Sequence, residues 1–130
     1  MDSLFTKIIN KEVPANIVYE DPQFIAILDI NPITKGHTLL IPKIQVVSLL
    51  DLPPPFTAKM LDLSTKIARK LQEKLFCKAF NFEINDGVIA GQEIEHVHMH
   101  IIPRYNKKER IVVRKMHNDN LEKVHSIIMN

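Results

Sequence analysis

No second cysteine accompanies Cys77 in the 130-residue chain, so no disulfide can form within it and a reducing, cytoplasmic setting is expected. Cys77 reads as a small buried hydrophobe near a helix end rather than a reactive thiol. No run approaches the roughly 20 apolar residues that a membrane helix needs. The opening Met1-Asp2-Ser3-Leu4-Phe5 has an acid and no basic segment ahead of an apolar run, which argues against a secretory leader. Charge of one sign is scarce as well. The formal net charge is +2, and no stripe of Arg and Lys is interleaved with aromatics, so nucleic acid is not an expected partner. Lys107-Lys108-Glu109-Arg110 is interrupted by its acid and reads as a solvated loop. Repeats, low-complexity tracts and linkers are lacking too, and residues 1–130 read as one domain. What is there, 45% apolar and 25% charged residues, is the composition of a globular protein with one core.

Ser3 to Asn10 fits a short helix with Leu4, Phe5, Ile8 and Ile9 on one side. Pro14 then forces extended backbone before a strand over Asn16 to Glu20. Asp21-Pro22 marks a turn, and a second strand over Phe24 to Asp29 completes a hairpin. Asn31-Pro32 and Lys35-Gly36 are further turn signals, and a third strand runs from His37 to Ile41 until Pro42 stops it. Strands on turn-length connections pair antiparallel, since parallel pairing needs long crossovers. The period then changes. After Pro53-Pro54-Pro55, whose last proline suits a helix start, Phe56, Met60, Leu63, Ile67, Leu71 and Leu75 make one apolar stripe on a helix reaching Phe76. Asp62 and Lys66 fall on its outer face at acid-then-base spacing. Two more strands follow, Ala79 to Ile84 and Glu95 to Ile102, with Pro103 ending the last. A final helix is expected from Asn118 to Met129. The expected fold is α+β: an antiparallel sheet of about five strands with one main helix across a face.

The chemistry concentrates in His96-Val97-His98-Met99-His100. Side chains alternate faces along a strand, so the three imidazoles share one face while Val97, Met99 and Ile101 enter the core on the other. Six histidines occur in the whole chain, so three at strict alternation within five positions are a poor match to an ordinary polar strand face. Two uses of imidazole compete. As metal ligands, two of these rings can chelate one ion, with Glu93 and Glu95 nearby, but all three span ~13.6 Å of straight strand, too far for one ion. As a nucleophile, a neutral imidazole works near neutrality because its unperturbed pKa is ~6.5, provided its other nitrogen keeps the proton and is held by an acceptor. Its neighbours can then contact the phosphate oxygens and hand a proton to the leaving group.

The run His96-Val97-His98-Met99-His100-Ile101-Ile102-Pro103-Arg104 resembles the signature of the histidine triad (HIT) family. Asn85-Asp86-Gly87, Ala90-Gly91-Gln92 and Gly36-His37-Thr38-Leu39-Leu40-Ile41-Pro42-Lys43 match other family segments. Phe5-Thr6-Lys7-Ile8-Ile9 and Lys11-Glu12-Val13-Pro14-Ala15 match the compact HINT-type branch. The resemblance spans Leu4 to Arg104. It implies that His98 attacks an α-phosphate and forms a nucleotidyl-histidine, later cleaved by water, with His96 and His100 flanking it and His37 as the fourth histidine. It places Asp29 and Ile30 at the ribose and base, Asn85 at sugar or phosphate, and Gly91, Gln92 and Glu93 in the loop over the phosphates. Read bare, Asp29 is a strand-end turn former, His37 a turn residue and Asn85 a turn shaper. Phe5 and Ile8, with Leu4, wall the base pocket or simply fill core.

Two departures stand out. Glu93 occupies a position where some members have Ser or Thr, and a carboxylate facing phosphate is repulsive, so it is expected to turn outward and offer only its N–H. Ser3 and Thr6 stand where some bacterial members have zinc-binding cysteines, and Gln45 replaces a histidine, so no structural zinc is expected. The implied activity is hydrolysis or transfer on purine nucleotide conjugates, phosphoramidates or dinucleoside polyphosphates, with no metal required and magnesium only as a substrate counter-ion. A nucleotide-sensing module with negligible turnover and a histidine-based metal-binding protein are the alternatives. The branch further implies a homodimer with the sheet continued across a two-fold axis, which protects an otherwise exposed edge.

Overall fold

The computed structural model describes residues 1–107, so the helix expected at Asn118 to Met129 lies outside the described residues. Helix α1 (Leu4–Ile9) is capped by the Ser3 side chain, which accepts the Thr6 N–H. Strands β1 (Ile17–Glu20) and β2 (Phe24–Leu28) form the expected hairpin. Asp21 shapes its turn: one carboxylate oxygen accepts the N–H groups of Gln23 and Phe24 at 2.7 and 2.8 Å. Strand β3 (Thr38–Pro42) follows, then a 3-10 turn at Leu49–Asp51 that had no clear sequence signal. Helix α2 (Pro54–Leu75) begins two residues before Phe56. Its first turn takes Pro54 and Pro55 because N–H groups there have no helical acceptor to lose. It ends at Phe76, which is left-handed at φ 59° and exposed. Asp62 and Lys66 pair on its outer face at 2.9 Å, as their spacing predicts. Strands β4 (Ala79–Glu83) and β5 (Met99–Arg104) complete the described elements.

The five strands form one antiparallel sheet in the order β1-β2-β3-β5-β4. Both faces are covered. On one, Leu63, Ile67 and Leu71 of α2 pack on Phe24, Ala26, Leu40, Val97, Met99 and Ile101. On the other, Phe5 and Ile8 of α1 pack on Ile25, Ile27, Leu39 and Ile41. This two-sided burial explains why β2 and β3 read as unbroken apolar runs instead of alternating.

The last strand departs from expectation at both ends. It begins at Met99, not Glu95: its register with β3 reaches back only to Leu40 opposite Met99, while β3 itself runs on to Pro42 beside β2. Upstream, Val97 N–H reaches the carbonyl of Val46 instead, at 2.8 Å. The strand also continues through Pro103 to Arg104. Pro103 is tolerated because its carbonyl accepts the Thr34 hydroxyl at 2.6 Å. Its missing N–H therefore faces the same side, where β3 has not yet begun and no ladder bond is lost.

Gly36 sets the approach to β3. Its φ is +87°, and a Cβ there runs into Leu75 Cδ1 at the end of α2. Gly36→Ala is expected to destabilise the chain by more than about 1 kcal/mol, read as a lower urea midpoint at unchanged slope. An unchanged midpoint would show that neither the φ nor the close approach matters.

Candidate active site

His37 immediately precedes β3, His100 lies in β5 opposite Leu39, and His96 and His98 occupy the approach to β5. The alternation expected of a strand holds although the ladder starts only at Met99. Val97 and Met99 enter the α2-side core, while the imidazoles lie on the α1 side. The rings form a row: His98 and His100 centroids are 5.0 Å apart, and His100 and His37 5.2 Å. Phe5 lies edge-on to His98 at 4.9 Å and to His96 at 5.8 Å. This face is therefore roofed, not open. His96, His98 and His37 are buried, and His100 is half-buried.

Backbone groups fix the tautomers of His37, His96 and His98, because a carbonyl can only accept and an N–H can only donate, and His37 in turn fixes that of His100. His98 Nδ1 lies 2.8 Å from the His96 carbonyl, so Nδ1 carries the proton and Nε2 carries the lone pair. Nε2 has no hydrogen-bond partner among the described residues, yet no buried side-chain nitrogen there is unsatisfied, so it faces accessible space. His96 Nε2–H donates to the Pro42 carbonyl at 2.8 Å, leaving Nδ1 to accept the Ser3 hydroxyl at 2.7 Å. His37 Nδ1 accepts the Ile33 N–H at 3.0 Å, so its Nε2–H donates to His100 Nδ1 at 2.9 Å. Neutral His100 accordingly holds its own proton on Nε2. The site thus presents one bare nitrogen, on His98, beside one N–H, on His100.

Electrostatics favour these neutral forms. Burial pushes the pKa of His37, His96, His98 and His100 below the ordinary 6.5. The Asp29 carboxylate opposes that shift at His37, His98 and His100. It lies 3.6 Å from His37 Nε2, and its other oxygen accepts the Asn31 N–H at 2.9 Å. Asp29 is thus both the turn former and a neighbour of the triad. Asp29, His37 and His100 offer three ligand atoms within 4.8 Å. The Ile33 N–H disfavours a metal there, because it holds the proton on His37 Nε2, the atom an ion would need.

The remaining sequence candidates divide by geometry. Phe5 and Ile8 are buried on the triad side, Phe5 against the rings themselves. Ile30 is 86% exposed beside Asp29 and has room for a partner. Asn85 sits against Gly91, whose φ of +95° ends the 3-10 turn Val88–Ala90. Glu93 is exposed, and its charge is felt at His98 and His100. Gln92 is buried with its amide fully occupied: its oxygen accepts the Gly87 N–H, and its nitrogen donates to the carbonyls of Val47 and Ile94. It builds the loop from within. Sequence reading named Ser3 as the start of a helix, and Ser3, Thr6 and Gln45 as replacements for the ligands of a structural zinc that was not expected. The structure puts them in a hydrogen-bonded cluster on His96. The fourfold partnership joins residues 93 positions apart, which no local pattern reports. A cavity of about 630 Å³ lies elsewhere, between α2 and β1 on the opposite face of the sheet.

The HIT domain family model matches residues 10–107. Among curated relatives, adenylylsulfatase HINT3 of Arabidopsis thaliana is 41% identical over 84% of this chain and 54% of its own length. Adenosine 5'-monophosphoramidase HNT1 of Saccharomyces cerevisiae is 34% identical over 85% of this chain and 67% of its own. Among solved structures, a HIT family member from Bacillus subtilis superposes with a TM-score of 0.88 at 36% identity, covering 99% of this chain and 94% of that one.

Four neutral imidazoles, three buried and one half-buried, make stability depend on pH with a definite sign. Their folded pKa values lie below 6.5, so the unfolded chain takes up protons first. The stability they contribute is present above about pH 6.5 and is lost as the pH falls through the lower folded values. Thermal midpoints measured from about pH 7 down to about pH 5 should decrease steadily. A flat or rising series contradicts the neutral-histidine assignment.

Proposed function

The chain belongs to the HIT domain family, and from that premise we propose that it cleaves purine nucleotide conjugates at the α-phosphate through a covalent intermediate on His98. The observation that carries this is the His98 tautomer. A neutral imidazole with its proton held by a carbonyl and its other lone pair directed at open space is a nucleophile that needs no further base. Two relatives are named for nucleotide hydrolysis, one on an adenylyl sulfate and one on an adenosine phosphoramidate.

In the proposed reaction the His98 Nε2 lone pair forms a bond to phosphorus while the bond to the leaving amine or phosphate breaks. The phosphorylated imidazole becomes cationic, and its Nδ1–H bond to the His96 carbonyl strengthens because the donor is now charged. His100 Nε2–H is the donor available to a phosphate oxygen or to the departing group. His96 has both nitrogens engaged, so its part is to aim His98 through its carbonyl. Water then attacks phosphorus and the Nε2–phosphorus bond breaks; one water proton stays on the departing nucleoside monophosphate and the other goes to solvent, balancing the proton that the leaving group took from solvent while hydrogen-bonded to His100 Nε2–H. Phe5 and Ile8 wall the base, Asp29 and Ile30 meet ribose and base, and Asn85, Gly91 and the Glu93 N–H approach the phosphates. Gln92 holds the loop in shape. No metal enters this scheme, and magnesium accompanies polyphosphate substrates only.

We also infer a two-fold homodimer continued through an edge strand. Strand β4 is outermost in the sheet, and Phe82 upon it and Phe76 beside it are 46% and 80% exposed. Sedimentation should give about twice the 15.0 kDa chain mass; a species of one chain alone contradicts the dimer.

Incubation with an adenosine phosphoramidate is expected to release AMP and, on rapid acid-free quenching, to yield a protein heavier by one adenylyl group. His98→Ala should reduce kcat by on the order of 10³-fold or more and abolish the adduct. Tight AMP binding without turnover in the unmodified chain would favour the sensing module instead. Full activity in His98→Ala would overturn the nucleophile assignment.

A further inference from the structure

We propose that Ser3 is a positioning residue for the triad, its hydroxyl holding the His96 ring in the orientation and neutral tautomer that the Pro42 carbonyl selects; this rests on the reading of His98 as the reacting group. Ser3 Oγ lies 2.7 Å from His96 Nδ1, in a part of the molecule where the His96 ring is fully buried. The ring's other nitrogen must donate to the Pro42 carbonyl, so Nδ1 must accept, and the Ser3 hydroxyl is its donor. Thr6 Oγ1 lies within 3.1 Å of Ser3 Oγ, but the single serine proton goes to the nearer nitrogen, which has no other source. Thr6 hands its own proton to Gln45 Oε1 at 2.5 Å.

The serine is itself held by two hydrogen bonds, and one of its partners is anchored in turn. Its oxygen accepts the Thr6 N–H at 3.0 Å as the cap of α1, its own N–H donates to Gln45 Oε1 at 2.9 Å, and Gln45 Nε2 donates to the Met1 carbonyl at 2.8 Å. Pinned in this way, the hydroxyl is preorganised toward Nδ1. The effect on chemistry is transmitted along the backbone. The His96 carbonyl is the acceptor that orients His98, so a His96 ring that turns over or gains a second proton shifts the carbonyl and the aim of His98 Nε2.

The test reads His96 directly. In two-bond proton–nitrogen spectra of the intact chain, His96 should show a bare Nδ1 and a protonated Nε2. Ser3→Thr keeps the hydroxyl and should keep this pattern and the turnover. Ser3→Asp keeps the helix cap but cannot donate, and should put a proton on Nδ1; Ser3→Ala should disturb the same nitrogen. Both are expected to lower kcat between about 10- and 100-fold with AMP affinity little changed. A loss caused merely by fraying of α1 would spare Ser3→Asp and raise KM instead, and that result overturns the proposal. So does a Nδ1 signal that is protonated in the unmodified chain or unmoved in Ser3→Asp. If the unmodified chain has no turnover, the functional reading fails, while the spectra still decide for or against Ser3.

Discussion

The contact on which the rest depends is the hydrogen bond from His98 Nδ1 to the carbonyl of His96. It is made between two residues of one extended segment, so it needs no distant element to bring the partners together. A side chain reaching the carbonyl two residues upstream works only where neither strand neighbour has claimed that carbonyl. The ladders of β5 with β3 and β4 reach back only to Met99 and His100, and leave it available. The late start of the strand is thus a condition of the site, because a ladder running from Glu95 would pair that carbonyl elsewhere.

Around that bond the protein builds a dry environment. Neutral rings suit it, since the cost of desolvation falls on charge. The same burial requires partners for the ring nitrogens other than His98 Nε2 and His100 Nε2, and those partners are mostly backbone: Pro42, Ile33 and His96 itself. Pro42 is the last residue of β3 and His37 directly precedes its first, so β3 positions His96 through a carbonyl, His37 at its entrance and His100 through His37. This gives the central strand a role in chemistry as well as in packing.

Much of this was legible in the sequence. Period-two alternation placed the imidazoles on one face, and the three-four spacing from Phe56 to Leu75 gave α2, because both patterns report burial on one side of a single element. Turn residues located the hairpin. The strand ends were not legible: Pro103 looks like a stop unless one knows that its open side meets Thr34. Nor was the role of Gln92, whose amide could equally have faced a phosphate; three partners contributed by Gly87, Val47 and Ile94 decide it. Ser3 reads locally as the start of a helix, and caps it, while its second partner is 93 residues away. Local signals reveal what a residue does for its own element, and long-range partners decide what it does for the site.

Helix α1 has six residues, too few for a helix to persist by itself in water. Its order is borrowed from Phe5 and Ile8 beneath it and from the amide of Gln45 at its entry. Shelter for the imidazoles and order in the first ten residues are therefore a single equilibrium. Removing α1 from the rings would admit water, return their basicity toward that of free histidine, and let a proton occupy the reacting nitrogen in mildly acidic surroundings. The protein's shortest helix thus governs the moisture of its most reactive atom.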